Sequence, residues 1–219
     1  MKAKGPMITL GAVAALGIVL LAVNMSNESS PSNKPYASAS PAPAPPGTQS
    51  PTAPAPPPAE QFPAKADYVG KIQANGGVMT VEITVEGQNA IAYACDGKSV
   101  ESWLRGSATN GAVSLDNKEK TSHLSGQLTG GNVDGSLAIG NDQWNFTATP
   151  AQPPAGLYMY LENGTRNSWI IDQNNGVTGV QRQADGSRSP APSLSPDGTA
   201  VINGQKVTAT RVEGNSNVI

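Results

Sequence analysis

The stretch VMTVEITVE, from Val78 to Glu86, decides the fold class because apolar and polar side chains alternate along it from Met79 onward. The odd-numbered side chains from Met79 to Val85 are apolar, whereas the even-numbered ones between them are Thr80, Glu82 and Thr84. Side chains of a strand point alternately to its two faces. The stretch therefore predicts a half-buried β-strand whose odd-numbered residues face a core.

Similar short runs follow, separated by Gly, Asn and Asp, and no stretch has a convincing helical period. Turn signals at Gly130-Gly131, Gly140-Asn141-Asp142 and Asn203-Gly204 predict hairpins. Ser99–Arg105 fits either a strand or a short helical turn. The further predicted strands are Ala90–Cys95, Ala112–Asp116, Ser122–Leu128, Asn132–Ile139, Gln143–Ala148, Leu157–Glu162, Ser168–Asp172, Val177–Arg182, Thr199–Ile202 and Gln205–Val212.

Residues 64–219 are therefore expected to form an all-β domain, an antiparallel meander that closes into a small barrel or folds into a sandwich. A proline-rich break at residues 150–155 leaves a division into two subdomains open. One continuous unit is favoured, because the piece after Ala155 is short and would struggle to bury a core alone.

The N-terminus has the pattern of a membrane anchor. Residues 1–6 carry Lys2 and Lys4, and Met7–Val23 contains no charged residue. This run is longer than the apolar region of a cleaved signal peptide and lacks an A-x-A-like site, so an uncleaved signal-anchor is favoured over a cleaved signal. The positive residues place the N-terminus in the cytoplasm and the rest of the chain outside, as a single-pass protein of the cell membrane.

Residues 24–63 are rich in Pro, Ala and Ser and are predicted to be a disordered tether. An extended polyproline-like conformation rises about 3.1 Å per residue, so the spacer reaches on the order of 100 Å. Such a reach suits a domain that stands off the membrane, for example within a cell wall.

Composition excludes several functions. The formal net charge is −2, with no basic surplus to neutralise phosphates, which disfavours nucleic acid as a partner. Cys95 is the single cysteine, so the chain has no intramolecular disulfide and no CxxC zinc or redox site. No cofactor and no metal ion are predicted.

Candidate catalytic residues have simpler interpretations. Cys95 lies on the same predicted face as Ile91 and Tyr93, as a buried thiol does, and His123 lies on the polar face of its strand. Asp residues beside Gly or Asn, such as Asp96, are first of all turn residues. The stretch GGNVDGSLAIGND resembles a calcium-binding repeat but occurs only once. The chain is therefore predicted not to be an enzyme.

The segment YACDGKSVESWLRG, from Tyr93 to Gly106, is the candidate recognition surface. If Ser99–Arg105 is a strand, Trp103 shares a face with Glu101 and Arg105, and an aromatic side chain flanked by opposite charges suits a sugar or a peptide. The alternative is a buried Trp103 whose charged neighbours turn outward. The candidate ligand or partner residues are Asp96, Lys98, Glu101, Trp103 and Arg105.

The order of these segments, together with C-D-G-K at Cys95–Lys98 and W-L-x-G at Trp103–Gly106, resembles membrane-anchored exported proteins of actinobacteria, mycobacteria in particular. The resemblance implies a location outside the cytoplasmic membrane, within the envelope. It implies no reaction.

The expected function is that of a non-catalytic envelope module, anchored through Met7–Val23, that binds a cell-wall polymer or another exported protein. Two alternatives remain. One is a structural β module for oligomerisation, and the other is a small hydrolase or transferase acting on cell-wall material. The ligand, the partner and the oligomeric state are not determined by the sequence.

Overall fold

The structure, a computed structural model, describes residues 59–218, in which all regular secondary structure is β. The predicted anchor at Met7–Val23 and the tether up to residue 58 lie outside the described residues. Across residues 59–218 there is no helix with the length and hydropathy that a membrane-spanning segment needs.

The first eight strands form a closed barrel in which each strand pairs with its neighbours along the chain. Closure comes from antiparallel pairing of the first strand with the eighth, in which Tyr68 lies opposite Pro150. The predicted all-β antiparallel meander is confirmed, in its barrel form. The strands are β1 (Lys65–Ala74), β2 (Gly77–Glu86), β3 (Asn89–Cys95), β4 (Glu101–Thr109), β5 (Ala112–Asp116), β6 (Ser122–Thr129), β7 (Asn132–Ile139) and β8 (Asp142–Ala151).

A second, five-stranded sheet in the order β12-β11-β10-β9-β15 follows the barrel, and a separate hairpin pairs β13 with β14. Asn203 and Gly204 both have positive φ in the turn of that hairpin, as predicted. The strands are β9 (Gly156–Glu162), β10 (Thr165–Ile171), β11 (Val177–Arg182), β12 (Arg188–Pro190), β13 (Thr199–Ile202), β14 (Gln205–Thr208) and β15 (Thr210–Arg211).

The barrel interior is filled by side chains. The odd-numbered residues Met79–Val85 of β2 face inward, as the alternation predicts, and Leu104, Leu115 and Leu137 meet them there. These side chains are at most 2% exposed. The barrel is therefore a packed core.

The outer face of the barrel around β2 and β3 is also buried, because the second sheet covers it. Ile91, Tyr93 and Cys95 of β3 share this face, as predicted, and pack with Leu157 and Ile170 of the second sheet. The prediction of a half-buried β2 is wrong for the same reason. The even-numbered residues Thr80, Glu82 and Thr84 are at most 1% exposed.

The opposite face of the second sheet packs against the C-terminal hairpin. Trp169 and Ile171 lie against Ala200 and Ile202, and the Trp169 indole Nε1 donates to the Pro192 carbonyl at 2.7 Å. Residues 59–218 are thus layered as barrel, sheet and hairpin within one compact unit.

The structure changes or settles three local points. The interval Gln205–Val212 is not one strand, because the chain leaves β14 at Thr208 and joins the second sheet as β15. Of the two alternatives for Ser99–Arg105, the strand is confirmed from Glu101 onward, since β4 begins there and pairs on both sides within the barrel. Strands β1 and β12 were not predicted at all.

Candidate functional site

Strands β3 and β4 hold the aromatic pair Tyr93 and Trp103 beside the candidate site. Trp103 lies directly opposite Tyr93, and their ring centroids are 4.7 Å apart at 44°. Both rings are on the outer face of the barrel under the second sheet, and Trp103 is only 5% exposed. Trp103 is therefore a packed side chain with one edge at the site, and its ring is not an open platform.

Glu101 holds a nearly buried carboxylate beside that tryptophan. Its side chain is 3% exposed, and its Oε2 accepts a hydrogen bond from the Tyr93 hydroxyl at 3.0 Å. Its Oε1 lies 3.3 Å from Arg166 Nη2 and 3.5 Å from Arg188 Nε. A buried carboxylate is stable only when it is paired and hydrogen-bonded, and these three donors meet that need.

Arg166 crosses over the indole of Trp103. The guanidinium carbon is 5.1 Å from the ring centroid, a cation–π geometry. The same guanidinium contacts Glu101, so strand β10 of the second sheet is tied to strand β4 of the barrel through two contacts of one side chain.

Arg166, Arg182 and Arg188 form a row across three neighbouring strands. Arg166 of β10 lies directly opposite Arg182 of β11, and Arg182 lies directly opposite Arg188 of β12. Directly opposed residues of antiparallel strands point to the same face. We call these three residues the arginine row.

The arginine row, Glu101 and Trp103 line a cleft of about 770 Å³ at the edge of the barrel. Ser99 and Ser102 also line it, and the β5–β6 turn contributes Asn117, Lys118, Glu119 and Thr121. Hydroxyl, amide and guanidinium groups dominate this lining. Such a cleft can bind a polar ligand through hydrogen bonds and ion pairs.

Several buried donors beside the cleft have no hydrogen-bond partner among the described residues. They are Ser102 Oγ, Trp103 Nε1 and Arg166 Nε, each on a residue that lines the cleft. A buried polar group without a partner costs about 1–3 kcal/mol. Each of these atoms is buried, so none of them lies on the open surface of the cleft.

The other three predicted site residues lie outside this cleft. Asp96 accepts hydrogen bonds from the backbone N–H groups of Lys98, Ser99 and Val100, at 2.8 to 2.9 Å. Partial burial acts to raise the pKa of Asp96, but these three donors bring it below the ordinary value. Asp96 therefore shapes the turn that leads into β4.

Lys98 and Arg105 contact backbone carbonyls. Lys98 Nζ donates to Gly76 at 3.4 Å, and Arg105 Nη2 donates to Ser216 near the C-terminal end of the described residues. The structure thus brings Glu101 and Trp103 together and places Asp96, Lys98 and Arg105 elsewhere.

Cys95 and His123 are not brought together. Cys95 is buried in the layer between barrel and sheet, where burial raises the pKa of its thiol to about 12. His123 is on the exposed face of β6, with Nδ1 2.9 Å from Asp116. The pKa of Asp116 is lowered by its hydrogen bond to Lys120 and then by His123.

No group of three or more His, Cys, Asp or Glu side chains within the described range is arranged to hold a metal ion. In the stretch that resembles a calcium repeat, Asp134 accepts a 2.5 Å hydrogen bond from the Thr147 hydroxyl. That contact is an ordinary cross-strand pair between β7 and β8.

The arginine row was missed at the sequence level because its members are far apart in the chain. A local signal existed for one pair. Arg182 and Arg188 flank the turn around Asp185-Gly186, and hairpin register brings them opposite each other. The link to Arg166 depends on the β10–β11 register, which the sequence pattern did not define.

In comparisons with known proteins, no family model, no curated protein and no solved structure matches this chain.

Proposed function

We propose that this chain is a non-catalytic, membrane-tethered module of the cell envelope whose cleft binds a cell-wall component or another exported protein. The observation that supports it best is the cleft beside Glu101 and Trp103, where the arginine row meets a wall of hydroxyl and amide groups. The apolar run Met7–Val23 and the proline-rich residues 24–63 supply the proposed anchor and spacer.

The cleft is suited to binding because its geometry is already fixed. Trp103 is packed against Tyr93, and Glu101 is fixed by hydrogen bonds, so both side chains hold their positions without a ligand. A preformed site loses little conformational entropy when a ligand enters. The arginines can then exchange water for ligand with little rearrangement of the core beneath them.

The hydrolase alternative required a pocket that collects Asp96, His123 or Cys95. Asp96 shapes a turn, His123 pairs with Asp116, and Cys95 is buried in another layer. The oligomerisation alternative would be supported by an exposed, unpaired edge strand. The barrel is closed, and the unpaired edges of the second sheet and of the hairpin are at most four residues long. The hydrolase alternative gains no specific observation in residues 59–218, and the oligomerisation alternative gains only these short edges.

The proposal is tested by blocking the cleft without changing its charge. Ser99 is exposed and lines the cleft, so Ser99→Trp fills it. Ser193→Trp is the matched control, since Ser193 is exposed and lines other depressions. The full chain in non-ionic detergent is passed over insoluble cell-wall polysaccharide and, separately, over immobilised envelope protein.

We expect wild type and Ser193→Trp to be retained on one of the two matrices and Ser99→Trp to pass through, with equal thermal melts for all three. Equal retention of Ser99→Trp would show that the cleft is not the binding site. Failure of wild type to bind either matrix would overturn the proposed function itself.

The proposed orientation in the membrane has its own test. In spheroplasts of the native host, external protease should remove the β domain and leave the Met7–Val23 segment in the membrane. Protection of the domain would overturn the proposed orientation.

A further inference from the structure

The arginine row places three positive charges side by side. Neighbouring strands of a sheet are about 4.8 Å apart, so three directly opposed residues span roughly 10 Å. Like charges directly opposite each other on antiparallel strands destabilise the pair. Arg166, Arg182 and Arg188 form two such pairs in succession. The sheet therefore carries a local electrostatic cost at this position.

The protein offsets only part of that cost. Glu101 contacts Arg166 and Arg188, whereas Arg182 forms no ion pair within the part of the chain that the structure describes. Lys118 and Glu119, which also line the cleft, balance each other in formal charge. Three guanidinium groups therefore face one carboxylate in a protein whose formal net charge is −2.

Resting on the proposed function, we propose that the ligand of the cleft is an acidic polysaccharide whose carboxylate or phosphate groups bind the arginine row. Guanidinium groups bind both kinds of anion through paired, charge-assisted hydrogen bonds. Two or more anionic groups along an extended polymer would occupy successive arginines. Arg182 is open to such an anion, because it is exposed and has no protein counter-charge among the described residues.

The remaining lining favours a sugar polymer over other polyanions. Ser99, Asn117 and Thr121 offer hydroxyl and amide groups to sugar hydroxyls. Single-stranded nucleic acid is bound by stacking bases on exposed aromatic rings. Trp103, the aromatic residue of this cleft, is 5% exposed and lies beneath Arg166.

The test measures binding of the full chain in non-ionic detergent to fluorescently labelled polymers by anisotropy. The probes are polygalacturonate for carboxylate, poly(glycerol phosphate) for phosphate, neutral dextran, and a single-stranded oligothymidylate. Arg182→Gln removes the arginine that has no ion pair with the described residues, so it leaves Glu101 in contact with Arg166 and Arg188. Lys206→Gln is the control, an equal change of charge at an exposed lysine on β14.

We expect wild type to bind at least one of the two acidic polymers, with an affinity that falls as salt rises and no measurable binding to dextran. The polymer that binds more tightly identifies the anion. Arg182→Gln should weaken binding about tenfold or more, and Lys206→Gln should change it less than about twofold. The thermal melt of Arg182→Gln should be unchanged or raised, because the substitution removes two like-charge pairs.

The inference is overturned if Arg182→Gln binds like wild type, if dextran binds as tightly, or if the oligothymidylate binds as well as the acidic polymers. It is also overturned, with the proposed function left standing, if no acidic polymer binds while Ser99→Trp still abolishes retention on an envelope matrix. If wild type is retained on no matrix and by no polymer, both proposals fall.

Discussion

The phenol of Tyr93 and the carboxylate of Glu101 are joined by a 3.0 Å hydrogen bond in which the tyrosine is the donor. Burial, followed by the neighbouring Cys95 and Glu101, raises the pKa of Tyr93 well above its ordinary value, so the hydroxyl keeps its proton. The bond fixes the carboxylate that contacts Arg166 and Arg188. Tyr93, which is packed between the barrel and the second sheet, thus positions Glu101, the nearly buried carboxylate of the cleft.

Removal of this hydroxyl should destabilise the fold. Tyr93→Phe leaves Glu101 without one of its partners, and a hydrogen bond to a charged group contributes about 1.5–3 kcal/mol. We expect a loss of that order in the free energy of unfolding, measured by urea denaturation. Tyr160→Phe is the control, because the Tyr160 hydroxyl bonds to the exposed Glu162 and should matter little. Equal urea midpoints for wild type and Tyr93→Phe would contradict a stabilising hydrogen bond between Tyr93 and Glu101.

Gly135 is required for close approach of strands in the barrel. A Cβ at this position would overlap the Ser125 carbonyl oxygen and lie 2.8 Å from Gly126 Cα, both backbone atoms of β6. Gly135→Ala should therefore lower the free energy of unfolding by about 1–3 kcal/mol. At Gly76, a Cβ would meet no atom within 4 Å, so Gly76→Ala should unfold like wild type in the same urea titration. Comparable midpoints for the two variants would show that β6 and β7 separate more easily than this packing implies.

Glu82 should make the protein less stable as pH rises. It is fully buried, and burial, followed by the charge of Asp67, raises its pKa well above the ordinary 4.5. The folded state then holds a proton that the unfolded state has lost, so this residue's contribution to stability falls as pH rises above about 4.5. Glu82→Gln, which is neutral at every pH, should be more stable than wild type at pH 8.

The advantage of Glu82→Gln should shrink as pH approaches 4, where the wild-type carboxyl is neutral in both states. Urea denaturation at a series of pH values measures this difference, with Glu162→Gln as an exposed control. A constant difference in the free energy of unfolding between Glu82→Gln and wild type from pH 4 to 8 would mean that Glu82 does not titrate as its burial requires.

Cys95 should be chemically inert in the folded protein. Its pKa of about 12 leaves almost no thiolate at pH 8, and its side chain is fully buried. We expect iodoacetamide to label Cys95 in urea at least a hundredfold faster than in buffer, as followed by mass spectrometry. Rapid labelling of the native protein would indicate that the second sheet opens from the barrel.

The sequence predicted most strands because their alternation is carried by apolar residues on one face. Strand β1 was missed because its inward face contains Gly70, where the strand passes so close to β8 that a Cβ would lie 2.6 Å from the Thr147 carbonyl oxygen. Because this close approach leaves room only for glycine, the position lacks the apolar side chain by which a sequence pattern reveals a strand. Strand β12 was missed because three residues are too few for a period, and it exists through pairing with β11.

The candidate site could be predicted only in part. Glu101 and Trp103 were singled out from their local pattern, and both line the cleft. The burial of Trp103 was one of the two alternatives, whereas that of Glu101 was not predicted, because it depends on a second sheet that lies more than fifty residues further along the chain. The same sheet supplies the arginine row, whose members meet only through strand register.

The ion pair between Asp67 of β1 and Arg211 of β15, 2.7 Å long, joins residues 144 positions apart. During synthesis the barrel strands emerge first, with the apolar outer face around Val69 and Ile91 still uncovered. The second sheet is not complete until Arg211 has been made and β15 pairs with β9. The nascent chain therefore presents an apolar surface between completion of the barrel at Ala151 and completion of the second sheet at Arg211, the kind of surface that chaperones bind.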